Sequence, residues 1–124
     1  MTPLLIILIT KILVTLVFVS LPFLFFSKSK IDSILKISGE SLGLYRVYGM
    51  AVTALLVGYS GAIHQHLNGI FPTEILIMGV ASNAGATFAM LKTGMAKENK
   101  LLTLFFGSIA VLLVFSLLLP DLVT

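Results

Sequence analysis

Apolar residues run along this chain in four long blocks, roughly 3–26, 43–63, 74–91 and 101–119, and not in the alternating or one-faced patterns of water-soluble elements. Each block is close to the ~20 residues that an α-helix needs to cross a hydrocarbon core about 30 Å thick. In lipid the backbone must satisfy its own polar groups, so a block of this length predicts a membrane-spanning helix. The first block lacks the basic leader and small-residue cleavage site of a signal peptide, and its apolar stretch exceeds the usual ~7–15 residues. It reads as a retained helix, with Pro22 expected to bend it or weaken it locally before Ser27. Pro72, Thr73 and Glu74 supply a proline, a cap and an early acid for the third helix, and Pro120 stops the fourth.

The connections are short, the longest being residues 27–42, so consecutive helices should be antiparallel neighbours. The expected fold class is all-α: residues 1–124 form one antiparallel bundle of four transmembrane helices, with no soluble domain, internal repeat or low-complexity segment. Within the longest connection Ile31, Ile34 and Leu35 recur at helical spacing among Lys28, Lys30 and Lys36. Two readings fit, a short helix lying on the membrane surface and an ordinary basic loop.

Composition agrees with the pattern. Hydrophobic residues make up 58% of the chain and charged residues only 10%, against about 25% charged in a soluble domain. That leaves too little polar surface to cover a globule, which excludes a disordered chain, an ordinary nucleic-acid binder and almost any water-soluble enzyme. The absence of cysteine removes disulfides, thiolate metal sites, iron–sulfur clusters and thiol redox catalysis, and with them the four-helix thiol oxidoreductases of bacterial membranes.

The net charge of +3 is explained by topology. Lys28, Lys30, Lys36 and Arg46 lie in or beside the first connection and Lys92, Lys97 and Lys100 in the third; the second connection and the C-terminal tail hold no Lys or Arg. The positive-inside rule places the first and third connections in the cytoplasm and both termini outside it, in a bacterial inner membrane. So strong a bias argues for one orientation, against the dual-topology insertion of some small four-helix exporters and fluoride channels.

Polar groups inside the spans are the candidates for function. Lys11 lies eight residues past Pro3, about 12 Å below the outer surface at ~1.5 Å per residue, too deep to reach water easily. Thr15 shares its face, which should therefore look into the bundle. Glu74 is the expected partner of Lys11, ahead of His64, His66, Tyr59 and Asp121. His64 and His66 are the only metal candidates, but their spacing points the rings to different sides of a helix, so no metal site is expected. In the second helix Arg46, Gly49, Thr53, Val57, Ser60 and His64 form a stripe that should face inward. Arg46 would meet lipid phosphates, Glu40 or an anionic ligand, with Tyr45 and Tyr48 as interfacial anchors. The third helix is slender, its Ala81, Gly85 and Ala89 form a small-residue seam, and it should be central. Asn83 should hydrogen-bond Thr53 or Ser60, or a partner chain. Phe105, Phe106 and Phe115 should contact lipid while Thr103, Gly107 and Ala110 turn inward.

The segment Tyr45-Arg46-Val47-Tyr48-Gly49-Met50-Ala51 resembles the opening of a helix in DoxX-like small bacterial membrane proteins, and chain length and four-span plan agree. The third helix lacks the further charged residue often found in that family. The resemblance implies a four-helix inner-membrane bundle, in a family associated with quinone-linked respiratory or redox complexes, often as accessory subunits; it carries over no catalytic residue. The expected function is an accessory or ligand/lipid-binding subunit of a membrane complex, with Lys11, Arg46, Thr53, Tyr59, Ser60, Glu74 and Asn83 as ligand-binding or buried polar residues. The alternatives are an oligomeric small-solute or ion transporter or channel with Lys11, Glu74 and Asn83 along its path, and, less favoured, an enzyme acting on a lipid or quinone, for which no nucleophile–base pair is found. The expected partners are membrane lipids and a membrane protein or second copy on the third helix, with no nucleic acid; no cofactor is expected beyond a bound lipid or quinone.

Overall fold

The computed structural model describes residues 1–36 and 41–124, so Glu40 lies outside the described residues. The described residues form helices throughout: α1 (Pro3–Phe25), α2 (Lys28–Leu35), α3 (Leu42–Leu67), α4 (Thr73–Thr93), α5 (Met95–Glu98), α6 (Lys100–Leu118) and α7 (Pro120–Val123). Four of them, α1, α3, α4 and α6, are long and apolar enough to cross a membrane. Their limits fall close to those expected from the apolar blocks. Thr73, however, is the first residue of α4 and not its cap; Pro72 takes the cap position without a side-chain hydrogen bond.

The helices associate as two antiparallel pairs. In the first, Thr2 Oγ1 lies 2.7 Å from His66 Nε2, Ser20 Oγ lies 2.5 Å from Thr53 Oγ1, and Arg46 Nη1 donates to Phe23 O at 2.8 Å, which runs α1 and α3 in opposite directions. In the second, α4 packs along α6, with Gly79 against Leu113 and Thr87 against Gly107. At the end carrying the second connection all four helices meet around Leu4, Leu8, Leu56, Tyr59, Ala62, Leu76, Ile109, Leu113 and Val123. Val123 reaches this core because Pro120 ends α6 and starts the short α7, which folds back over α1.

Helix α1 carries a single π turn at Leu16–Ser20, closed by the Leu21 N–H on Leu16 O five residues back. Pro22 lacks the N–H that would bond the Phe18 carbonyl and its ring crowds that carbonyl, so the widened turn relieves the clash without breaking the helix. The inserted residue brings both Val19 and Ser20 to the buried face. The last turn leaves Phe23 O without a helical partner, because the chain turns extended at Phe26. Arg46 caps that carbonyl. Arg46 thus joins α3 to the end of α1 through one of its five N–H donors.

Residues 28–35 form a helix, and it turns Ile31 and Leu35 fully inward against Val19, Phe23, Tyr45, Val52, Met90 and Phe106. Asp32 accepts from Lys28 Nζ at 2.7 Å and from the Tyr45 hydroxyl at 2.5 Å. Tyr45 is therefore a core residue, correcting its reading as an interfacial anchor; Tyr48 stays half-exposed with its ring 5.3 Å from Phe23. Asn99 Nδ2 donates to Ile34 O at 3.4 Å, joining the first and third connections. The seven basic residues outside α1 are thereby gathered at one end.

Candidate functional site

Helices α3 and α4 converge at one end and splay toward the other. Near the short loop that joins them, Met78 packs over Gly58 and Ile75 over Gly61, side chains taking the space those glycines leave. Farther along, α4 keeps to α6 and α3 keeps to α1, so the two pairs part. The opening is a groove of about 1080 Å³, walled on one side by Val47, Tyr48, Ala51 and Leu55 of α3 and on the other by Ala86, Ala89 and Thr93 of α4, with α2 across its wide end. Its volume is at the upper end of the ~300–1,000 Å³ typical of small-molecule sites, and its walls are overwhelmingly apolar.

At the narrow end the lining turns polar. Lys11 (5% exposed) donates from Nζ to Asn83 Oδ1 at 2.8 Å. A lysine has no acceptor, so this bond fixes the amide orientation. Asn83 Nδ2 then donates to the Tyr59 hydroxyl at 3.0 Å and to Gly79 O at 2.7 Å. The ammonium is further bounded by aromatic faces, with Nζ 4.8 Å from the Phe106 centroid, 5.3 Å from Phe105 and 6.0 Å from Tyr59, within the range of cation–π attraction. One turn on, Thr15 is 2% exposed and its Oγ1 has no hydrogen-bond partner. A helical threonine ordinarily bonds the carbonyl four residues back; here that does not happen, and Thr15 is one of the residues that border the groove.

Of the residues singled out by sequence, Lys11, Tyr59 and Asn83 meet at this floor. Glu74 does not: it is exposed at the head of α4, nine residues before Asn83, or about 13 Å along the helix. Among the described residues the sole ion pair is Lys28–Asp32 at 2.7 Å, so no described acid neutralises Lys11. Asn83 does reach α3 as expected, but through Tyr59 and not Thr53 or Ser60. The inward stripe of α3 is Tyr45, Gly49, Val52, Leu56, Tyr59 and Ala62, rotated from the expected one; Val57 is 70% exposed, and Ser60 and His64 also face outward. Thr53 is half-buried against Ser20, and because Thr53 Oγ1 donates to Gly49 O at 2.7 Å, Ser20 is the donor of their shared bond. The expected stripe followed a straight helix of 3.6 residues per turn, whereas the observed one repeats nearer 3.5, the spacing of left-handed packing. Polarity misled too, since Ser60 satisfies its hydroxyl on Leu56 O.

Helix α4 is less central than expected. Its Ala81, Gly85 and Ala89 are exposed, and nothing lies within 4 Å of a Cβ added at Gly85. Phe105 and Phe106, expected against lipid, turn inward to Lys11; Phe106 is buried and Phe115 remains 45% exposed. No three His, Asp or Glu side chains gather among the described residues, and His66 pairs with Thr2. Thr15 was detectable from its four-residue spacing to Lys11; nothing in sequence set Phe106 apart from its apolar neighbours. No family model, curated protein or solved structure matches this chain.

Proposed function

We propose that this chain is a small multi-pass inner-membrane protein that takes a lipid-like or quinone-like ligand into the groove between α3 and α4, as a ligand-binding or accessory subunit of a membrane complex. The observation that carries this reading is the combination of a long apolar groove with a few convergent polar groups, Lys11, Asn83, Tyr59 and Thr15, at its closed end. A buried lysine with no described acid beside it is costly in lipid, which makes it a functional candidate by default. The basic residues gathered at the wide end support an orientation with that end in the cytoplasm and both termini outside. The DoxX-like opening of α3 supports the same plan.

Native mass spectrometry of the protein released from the membranes that made it tests the reading. One amphiphile is expected on the wild-type chain and none on Ala86→Trp, which fills the groove from α4. Equal adducts on both proteins would place the bound molecule elsewhere and overturn the reading.

A further inference from the structure

Building on that ligand-binding reading, we infer that the groove is a site for a single-chain amphiphile with a carboxylate head, a fatty acid, whose carboxylate meets Lys11 and Thr15. The charge balance comes first. Lys11 has three donors; one is used on Asn83 Oδ1, and its other neighbours are aromatic rings. Rings soften the burial of a cation but do not cancel its charge. Among the described residues the one acid on the groove wall, Glu98, is at the opposite end, beyond Gly94. A monoanion at the floor completes the pair; a carboxylate is acceptor-only, which suits the remaining donors of Lys11, and the unpartnered Thr15 hydroxyl can donate to it as well.

Length argues for a tail that spans one leaflet, with its head at the closed floor. From Asn83 to Gly94 the wall runs eleven residues, about 16 Å, close to half of a ~30 Å hydrocarbon core, the depth one acyl chain occupies in a leaflet. Beyond the floor the space is shut by the packed Leu8, Leu76 and Leu113 and by Met78 over Gly58. The phosphate-binding type of side chain, Arg46, is not at the floor: it donates to Phe23 O at the far end. The tail then lies toward Leu35 and the wide mouth, along apolar walls.

The test uses the full chain in detergent micelles with palmitate, cetyl alcohol and cetylamine as probes, each titrated against a bound fluorescent polyene fatty acid. Palmitate is expected to bind at least about tenfold more tightly than the alcohol, the effect of one charge-assisted contact, and the amine weakest. Lys11→Met should bring palmitate down to the level of the alcohol, and Lys11→Arg should keep the preference. Alcohol or amine binding as tightly as palmitate in the wild type would overturn the carboxylate assignment while leaving a ligand groove in place. Failure of all three to bind would overturn both. The wild-type comparison decides the matter even if Lys11→Met does not fold.

Discussion

Two glycines of α4 separate tight packing from open space. A Cβ on Gly79 would lie 2.6 Å from Leu113 Cδ1 and 2.7 Å from the Tyr59 hydroxyl oxygen, whereas a Cβ on Gly85 meets nothing within 4 Å. The Leu113 methyl is the end of a flexible side chain and can give. Tyr59 cannot move freely: it is fully buried and holds Asn83, which in turn holds Lys11. Either substitution gains the intrinsic preference of alanine for helix, up to about 1 kcal/mol. Gly79→Ala adds overpacking of about 1–3 kcal/mol and weakens a bond worth about 0.6 kcal/mol between membrane helices. Gly79→Ala should therefore be less stable than Gly85→Ala by about 2–3 kcal/mol. Reversible unfolding from mild detergent into dodecyl sulfate measures this difference. Tyr59→Phe in the Gly79→Ala background removes the 2.7 Å contact and should recover part of the loss. Equal stabilities for the two alanine variants would refute the close approach of α3, α4 and α6 on which the floor depends.

Arg46→Met leaves Phe23 O without its donor and should cost about 1.5–3 kcal/mol, with faster amide exchange confined to the end of α1; unchanged exchange there would refute the cap. Thr53→Val should destabilise by about 0.6 kcal/mol through loss of Ser20, while Ser60→Ala, facing outward, should be neutral within about 0.5 kcal/mol in the same unfolding assay. Because the chain has no cysteine, Asn68→Cys and Lys97→Cys report orientation directly: an impermeant thiol reagent added outside intact cells should label the first and spare the second.

The four long helices were legible because an apolar block of bilayer length admits few alternatives, and the antiparallel order followed from short connections. Which faces meet was far less legible. In a chain whose exposed residues are as apolar as its buried ones, hydrophobic periodicity loses its contrast, so Val57 and Phe106 look alike in sequence although one is 70% exposed and the other 5%. Hydroxyl residues add little contrast, because Ser60 and Thr53 bond their own helix whichever way they face. Lys11 was legible as a candidate because a charge mid-span always stands out. Its partner was not, because choosing Glu74 by charge alone ignored that the depth of Lys11 matches Asn83, nine residues deeper in α4. The groove itself depends on the splay of α3 from α4, a property of packing that neither helix encodes separately.

The central claim is that an acyl chain enters between α3 and α4, and the methionine methyls report it most directly. Met90 is 6% exposed and lines the groove, whereas Met50 is 60% exposed on the outer face of α3. With methyl-labelled methionine and a nitroxide-bearing stearate added in steps, the Met90 signal should broaden saturably, and Ala51→Trp, which fills the groove from α3, should abolish that broadening while leaving Met50 affected as before. Broadening of Met50 alone, with Met90 sharp at every concentration, would contradict the account.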